Sequence, residues 1–430
     1  MSQGSLIARI RQYFTNDSLP HDLRLSKDAV VSLTIHAFFQ FGASMSGLFL
    51  NLYLWRLTGD FTINAVYNMI NFAITPIAFA VGGLVAKRHD RMVVYRLGIS
   101  FFAIFYLLVI LTGEAVPQYY IIFALLNGIA GGFYWTGYLV LQYDVSTERN
   151  RIRYLAINTI TFNLAGLAGP ALAGLIIHQM DGLQGYILIF VFAFIMFVLA
   201  AIISMKIKAT VNHHRTYYLK YVGIVMKKHL NWTAGLFSFL FLGLFQGVML
   251  FLPNIMLFRA LDREDWVGYF LVLFSAITVV MGYIISKTAK EEYVRKYIFF
   301  STCGVVIGAF LLLIEVKLWS VVIFMIIYSM CTPLITNSLT SYFYRTITAL
   351  PLKGQLKVEA VVMRELFLNL GRIFAIILLI IFASDLDSIW LPIIIISMAS
   401  AQFLILICIR KEPRAVVTNS VSSKSNNIAK

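Results

Sequence analysis

The chain has 430 residues, of which 60% are hydrophobic and 13% are charged, and its mean hydropathy is +0.82. Such a composition excludes a soluble globular protein and indicates a chain that crosses a membrane many times. The formal net charge of +15 would suit nucleic acid, but the basic residues form neither one patch nor a tail. We therefore expect the lipid bilayer, and no nucleic acid, as a partner.

Apolar segments long enough to cross a bilayer, which takes about 20 residues, recur along the whole chain. In the first half they lie at 29–54, 63–86, 97–113, 119–141, 155–177 and 186–205. In the second half they lie at 233–257, 267–286, 297–316, 319–341, 361–382 and 389–409. The sequence thus predicts an all-α polytopic membrane protein with twelve transmembrane helices in two six-helix bundles.

The polar breaks between these segments define the expected domains. We predict an N-terminal cytoplasmic segment at 1–28, a six-helix bundle at 29–205, a cytoplasmic linker at 206–231, a second bundle at 232–410 and a disordered cytoplasmic tail at 411–430. The first span follows a charged segment with no signal-peptide pattern, so we expect it to be retained. In the linker, the spacing of lysines and apolar residues suits either a short helix at the membrane surface or a solvated loop.

The basic residues predict the orientation. If the N-terminus is cytoplasmic, the outer loops hold only four of the 35 Lys and Arg residues, and one lies within a span: Arg56, Arg259, Arg263, Lys317 and, within the span, Arg372. An excess of positive charge on inner loops is the rule for membrane proteins. We expect a multi-pass, monomeric protein of a bacterial cell (plasma) membrane with both termini in the cytoplasm.

The sequence lacks the common motifs of enzymes and metal sites. It contains no Gly-rich phosphate loop, HExxH, GxSxG or Cys/His cluster, and His213 and His214 have no further ligand at a useful spacing. We therefore expect no metal, no cofactor and no enzymatic activity.

Three stretches carry a family resemblance. They are "GLVAKRHDR" at 83–91, "DVSTERNR" at 144–151 and "GLAGPALAG" at 166–174. Together with twelve spans in two sixes and a basic central linker, they resemble the major facilitator superfamily of secondary transporters. The resemblance implies that fold, and a small-molecule substrate carried between two rocking bundles.

The first stretch is similar to a degenerate form of the signature Gly-x-x-x-Asp-Arg-x-Gly-Arg, which follows the second helix of that family. Gly83, Arg88 and Arg91 match it, whereas Lys87 stands in place of Asp and Asp90 in place of the second Gly. In the family, the Asp holds an inner gate closed by pairing across the two halves. The resemblance implies gating by Arg88, Asp90 and Arg91, but it puts a lock based on Asp in doubt.

The second stretch is similar to the acidic-then-basic loop of the family, which implies that Glu148, Arg149 and Arg151 form charge pairs at the inner gate. A solvated, positively charged inner loop is an equal alternative.

The third stretch looks like a Gly-Pro motif of antiporter branches of the family. Close helix packing and a proline kink explain it without an exporter role, and we favour that interpretation. The residues concerned are Gly166, Gly169, Pro170 and Gly174.

Polar residues inside the spans recur on single helix faces, which indicates either a cavity lining or hydrogen bonds between helices. Such stripes are His36, Gln40, Ser44, Gly47 and Asn51; Asn64, Asn68, Asn71 and Thr75; Asn127, Gly131, Trp135, Tyr138 and Gln142; and Gln246 with Asn254. In the family resembled, the first and fourth helices border the central pathway. That implies substrate contacts from Gln40, His36, Asn127, Trp135 and Tyr138, and we add Gln246 of the seventh span.

The eleventh span begins with the charged stretch "RELFLNLGRIF" at 364–374. Glu365, Asn369 and Arg372 are spaced four and then three, so they share one helix face. Arg372 lies roughly 16 Å into the span, near the bilayer centre, where an arginine costs about 2.5–3.5 kcal/mol. We predict that Arg372 and Asn369 bind substrate, although a bond from Arg372 to helix-end carbonyls, or through water to Glu365, is the alternative. Arg364 is expected at the interface.

Carboxylates are missing from the deep parts of the predicted spans, and Glu365 is the deepest. Proton coupling would therefore depend on Glu365, on His36 or on the substrate itself, and a hydrogen-bonded structural role is the alternative for His36. We predict a transporter that moves a small, anionic or amphiphilic solute by alternating access. The alternatives are a proton-coupled exporter of drugs or lipids and a membrane sensor that transports nothing.

Overall fold

The computed structural model describes residues 24–146, 151–180, 182–207, 216–261, 263–288, 293–351, 356–383 and 388–409. Throughout these ranges the regular structure is helical and no strand occurs. The predicted tail at 411–430 lies outside the described residues, as do Glu148 and Arg149. Arg151 begins a helix, but its side chain is not among those described.

The first half of the chain forms six long helices. They are α1 (Lys27–Thr58), α2 (Phe61–Arg88), α3 (Arg91–Thr112), α4 (Tyr120–Asp144), α5 (Arg151–Gln179) and α6 (Gln184–Ser204). Local signals set the turn between α1 and α2. Gly59 ends α1 with a φ of 61°, which favours glycine, and the Asp60 carboxylate accepts the Thr62 backbone N–H at 2.7 Å at the start of α2.

The second half begins with the short linker helix α7 (Val222–Lys228), in the segment where the sequence allowed one. The helices that follow are α8 (Leu230–Met249), α9 (Leu252–Leu261), α10 (Glu264–Thr288), α11 (Val294–Ile314), α12 (Leu318–Thr348), α13 (Lys357–Phe382), α14 (Trp390–Ala401) and α15 (Ile405–Cys408). The predicted seventh span is broken between α8 and α9, where Pro253 occupies the first turn of α9.

Eleven helical runs among the described residues are long and apolar enough to cross a membrane. One of them, Arg91–Gln142, is 52 residues long and contains α3 and most of α4, joined by the 3₁₀ helix Gly113–Tyr119. The all-α membrane architecture is therefore confirmed, while the count of twelve spans and the cytoplasmic termini stay predictions.

Helices pack together within each half of the chain, and further contacts join the two halves. In the first half α2 packs on α4, and α1 packs on α5 and α6; in the second, α8 packs on α13 and α11 on α12. The halves meet along two pairs of helices, α2 with α13 and α5 with α10. Small residues permit the closest crossing, since a Cβ on Gly371 of α13 would collide with the Leu240 carbonyl of α8.

Some of the small residues of α5 lie in close helix contacts and one does not. A Cβ on Gly174 would lie 2.9 Å from the Glu264 carbonyl oxygen of α10, and one on Gly169 would lie 2.9 Å from the Met45 backbone N of α1. The Pro170 carbonyl oxygen would lie 2.8 Å from a Cβ on Gly268. Gly166 corrects the packing prediction, because a Cβ there would meet nothing within 4 Å. The other three positions explain the stretch by close packing of α5 against α1 and α10.

Candidate functional site

The strongest candidate site surrounds Arg372 in the middle of α13. Its Nη1 donates to Asn369 Oδ1 at 3.1 Å, and its Nη2 donates to Gln246 Oε1 of α8 at 2.8 Å. Its guanidinium carbon lies 5.1 Å from the centroid of the Phe72 ring of α2, a cation–π contact. Three predicted site residues, Arg372, Asn369 and Gln246, are thus brought together, and Phe72 of the first half joins them.

The charge of Arg372 is not balanced by Glu365. Glu365 Oε1 accepts hydrogen bonds from Nε and Nη2 of Arg364, at 3.1 and 2.6 Å. Arg364 is therefore the partner of Glu365, and its place at the membrane interface stays a prediction. Within the described residues no carboxylate forms an ion pair with Arg372, and the buried Arg372 Nε has no hydrogen-bond partner there. The site therefore carries one net positive charge, that of Arg372, and the side chains that accept its hydrogen bonds are neutral amides.

The polar stripes of α1, α2 and α4 meet at a cavity of about 160 Å³ in the first half. Asn68 Nδ2 donates to Asn51 Oδ1 at 2.7 Å, and Asn127 Nδ2 donates to the Tyr67 hydroxyl at 2.9 Å. Asn127 is the predicted substrate residue that lines this cavity, and Asn71 lines it as well.

His36 lies in an aromatic cluster of the first half. Its Nδ1 is 2.7 Å from the Tyr134 hydroxyl, and its ring stacks on Tyr138 with 4.3 Å between centroids. Trp135 meets the edge of Tyr138 at 5.6 Å. His36 is 1% exposed, so it has the surroundings of the hydrogen-bonded structural histidine that the sequence allowed. Gln40 is also buried on α1.

The interface between the halves carries a salt bridge at the end next to the linker. Lys87 Nζ of α2 lies 2.5 Å from Glu359 Oε1 of α13, and Glu359 is 1% exposed. The linker joins this pair, since the Tyr218 backbone N–H donates to Glu359 at 2.9 Å and Lys87 donates to the Thr216 carbonyl at 3.2 Å. The cationic partner is therefore the lysine that replaces the family's Asp.

The neighbouring linker residue Tyr217 also contacts α2. Its hydroxyl donates to the Ala80 carbonyl at 3.1 Å. Burial and the charge of Glu359 raise the pKa of the Tyr217 phenol to about 12, so it stays a neutral donor at physiological pH. Residues 216–218 of the linker are therefore fastened between the two halves.

The three predicted gate residues of the first stretch have other roles. Asp90 caps α3 by accepting the Met92 backbone N–H at 3.0 Å. Arg91 pairs with Asp144 of α4, within the first half. Arg88 is exposed at the end of α2. None of these described contacts reaches the second half, so the role of the three residues in a gate across the halves stays a prediction.

A second pair joins the halves at the opposite end of the interface. Arg56 of α1 forms an ion pair with Glu264 of α10, and Arg56 also lies 5.7 Å from the Phe258 ring of α9. Beside it the Phe61 and Phe251 rings stack at 5.9 Å. Each end of the interface is therefore closed by a charge pair between the halves.

Glu359, Glu264 and Phe72 were missed in the sequence. Glu359 lies just before the eleventh predicted span, which begins at 361. A useful signal was present, since a lysine in the family's Asp position calls for an acidic partner on the other half. Phe72 gave no signal, because an aromatic residue within a span is ordinary.

The comparison with known families decides the family. The model of the Major Facilitator Superfamily matches residues 32–350, close to three quarters of the chain. The chain belongs to the major facilitator superfamily. The matched range ends before Glu359 and Arg372, so the family match does not extend to these two residues. Membership also supports a membrane transporter that is not an enzyme.

Two curated relatives of this major facilitator are bacterial. YqgE, an uncharacterized protein of Bacillus subtilis (strain 168), is 29% identical over 356 residues, which cover 83% of each chain. An uncharacterized protein from the sodM 3′ region of Geobacillus stearothermophilus is 36% identical over 167 residues, covering 39% of this chain and 78% of that protein.

Solved structures share the fold at low identity. A mutant form of the nucleoside transporter NupG is 14% identical with a TM-score of 0.66, and it covers 89% of this chain and 98% of its own. The D-xylose–proton symporter is 14% identical with a TM-score of 0.66, covering 90% of this chain and 97% of its own. At such identity the likeness extends to the fold and not to the substrate.

Proposed function

We propose that this major facilitator moves a small anionic solute across the membrane by alternating access, with Arg372 as the contact for the anionic group. The proposal includes twelve spans, two six-helix bundles and cytoplasmic termini, in the plasma membrane of a bacterium. The expected partners are the bilayer and the solute, and the expected state is a monomer.

The observation that carries this proposal is the unbalanced charge of Arg372. Intramembrane arginines are costly and are paired or face a water-filled pathway. Here Arg372 donates hydrogen bonds to the amide oxygens of Asn369 and Gln246, which carry no charge. The Arg364–Glu365 pair is neutral as a whole. An anion with access to Arg372 would supply the missing charge, and its oxygens would accept from the unpartnered Nε.

Alternating access is supported by the two charge pairs between the halves. Lys87–Glu359 closes the inner end and Arg56–Glu264 closes the outer end. Each pair must separate before its own side of the interface opens, and the other holds the opposite side closed. This is the arrangement expected when two bundles rock about a central site.

The test begins with purified protein and a thermal-shift panel of small carboxylates and phosphates, followed by flux of the stabilising anions into proteoliposomes. Arg372→Gln should weaken binding about 10- to 100-fold, because a hydrogen bond to a charged group contributes about 1.5–3 kcal/mol. Arg259→Gln, a change at an exposed arginine of α9, is the matched control. Undiminished binding and uptake by Arg372→Gln would refute the proposal.

The neighbouring ion pair supplies a sharper arm. Arg364→Gln leaves Glu365 without its partner, so its carboxylate becomes available to neutralise Arg372 and should weaken anion binding. The double variant Arg364→Gln/Glu365→Gln should restore affinity, because the net charge near Arg372 returns to its original value. Equal affinity of the single and double variants would contradict this electrostatic argument.

The same assay separates the other candidate functions. Binding without flux identifies a sensor and overturns transport. Flux of drugs or lipids driven by an imposed pH gradient identifies a proton-coupled exporter, and then Glu365 and His36 are the first candidates for the proton carrier. Anion flux that does not depend on the pH gradient is the result expected for the proposed function, in which the solute itself carries the charge.

A further inference from the structure

A second polar site, with a different chemistry, lies in the first half and shares helix α2 with the Arg372 site. The cavity of about 160 Å³ in the first half is lined by four asparagines, two tyrosines and a phenylalanine, together with small and aliphatic residues. One buried water needs roughly 10–15 Å³ of such volume, so the cavity has room for part of a solute. None of its lining residues carries a charge.

The asparagines retain hydrogen-bonding capacity beyond their contacts with one another. A side-chain amide has two N–H donors and an oxygen with two lone pairs. Asn68 uses its amide nitrogen on Asn51 Oδ1 and on the Asn64 carbonyl, at 2.7 and 2.9 Å. Asn127 uses one donor on Tyr67, which leaves its amide oxygen for another donor.

Asn71 is the member least committed to the protein. Its contact with Thr75 joins Oδ1 and Oγ1 at 3.5 Å, which is long for a hydrogen bond between oxygens. The Thr75 hydroxyl donates instead to the Asn71 carbonyl at 2.8 Å. Asn71 is only partly buried and lines the cavity. Its amide can therefore form hydrogen bonds with a ligand without breaking contacts that stabilise the fold.

The cavity adjoins the anion site through α2. Asn68 and Phe72 are one helical turn apart and share a face, and the Arg372 guanidinium lies over the Phe72 ring. One side of the interface therefore offers a cation from the second half, and the other side offers uncharged amides and hydroxyls from the first.

We propose that the solute is a hydroxylated acid, whose anionic group binds Arg372 and whose hydroxyl groups bind the asparagines of this cavity. A hydroxyl both donates and accepts, and the adjacent oxygen and nitrogen of one amide match a pair of neighbouring hydroxyls. The Phe102 ring of the lining offers an apolar surface to the C–H face of such a chain. This inference rests on the proposed function, because it assigns the remainder of an anion held by Arg372.

The test uses thermal shift and direct affinity measurements on the full-length purified protein. The probes are gluconate, glucuronate and glucose 6-phosphate, with hexanoate as the acid without hydroxyls and sorbitol as the polyol without charge. At least one hydroxylated acid should bind at least about tenfold more tightly than both hexanoate and sorbitol, because it forms several hydrogen bonds with the amides in addition to the contact with Arg372.

Two variants separate the inference from the function on which it rests. Asn71→Leu should lower the affinity for the hydroxylated acid toward that of hexanoate and leave hexanoate unchanged, while Arg372→Gln should reduce binding of both acids. Asn163→Leu, an amide change on α5, should alter neither. Equal binding of hexanoate and all hydroxylated acids, with dependence on Arg372, overturns the hydroxyl site and keeps anion transport. Acid binding that is indifferent to Arg372→Gln overturns both.

Discussion

Removing the charge of Glu359 should open the inner side of the transporter. Glu359 is 1% exposed and Lys87 is 13% exposed, with 2.5 Å between Nζ and Oε1. Loss of one partner from a buried pair costs about 3–5 kcal/mol. The lower value applies to Glu359→Gln, because the Tyr218 N–H and the Thr216 carbonyl still hold their partners.

This cost falls on the conformation in which the pair is formed, and it vanishes once both groups face water. About 3 kcal/mol corresponds to a change of roughly 100-fold in the equilibrium between inner-closed and inner-open forms. Hydrogen–deuterium exchange should therefore increase at residues 80–88 of α2 and 357–365 of α13, with the rest of the chain unaffected.

Two further variants make the test specific. The exchanged pair Lys87→Glu/Glu359→Lys should recover part of the protection, though not all, since a lysine at 359 cannot accept the Tyr218 N–H. Glu315→Gln breaks a pair whose side chains are 44% and 66% exposed and should change nothing. Two results would refute the role of Lys87–Glu359 as an inner lock that holds the two halves together. One is unchanged hydrogen–deuterium exchange in Glu359→Gln, and the other is a charge-swapped pair that is no better protected than the single variants.

The other end of the interface and the tight crossing of the second half give two more predictions. Glu264→Gln should raise hydrogen–deuterium exchange at 54–58 and 264–268 and leave exchange at the inner ends of the helices unchanged. The increase should be smaller than in Glu359→Gln, because Arg56 is 38% exposed and such pairs contribute about 1 kcal/mol or less. Increased exchange at the inner ends would contradict this prediction. Gly371→Ala should lower the melting temperature in detergent, since its Cβ would overlap the Leu240 carbonyl, at a typical cost of about 1–3 kcal/mol. Gly282→Ala meets nothing within 4 Å and should be neutral or stabilising by up to about 1 kcal/mol, so an equal loss in both variants would refute the packing argument.

The helices followed from hydropathy, and their ends did not. The first span was predicted at 29–54, whereas α1 runs over Lys27–Thr58. Hydropathy detects the apolar stretch, but the helix continues to its caps, where the Ser26 hydroxyl accepts the Ala29 N–H and Gly59 turns the chain. The break between α8 and α9 lay inside one apolar run, so composition alone could not reveal it.

The site was predictable along one helix and not across helices. The spacing of Glu365, Asn369 and Arg372 placed them on one face, and Arg372 does contact Asn369. Glu365 pairs instead with its neighbour Arg364, because long side chains on adjacent residues can reach each other although their Cβ atoms diverge. The contact between Arg372 and Gln246 spans 126 positions, and it depends on the crossing of α8 and α13.

Helices α2 and α13 carry both the proposed binding site and the inner lock, which links the two. Glu359 and Arg372 are 13 residues apart on α13, about 20 Å along the axis. They contact Lys87, near the end of the antiparallel α2, and Phe72, near its middle. A solute that draws Arg372 toward the asparagines of the first half pulls these same helices together, which favours the conformation in which Lys87 meets Glu359. Since coupling between two sites is reciprocal, a variant that breaks the lock must also weaken solute binding. Affinity for an anion that binds wild-type protein should therefore fall in Glu359→Gln, although Glu359 itself touches no solute.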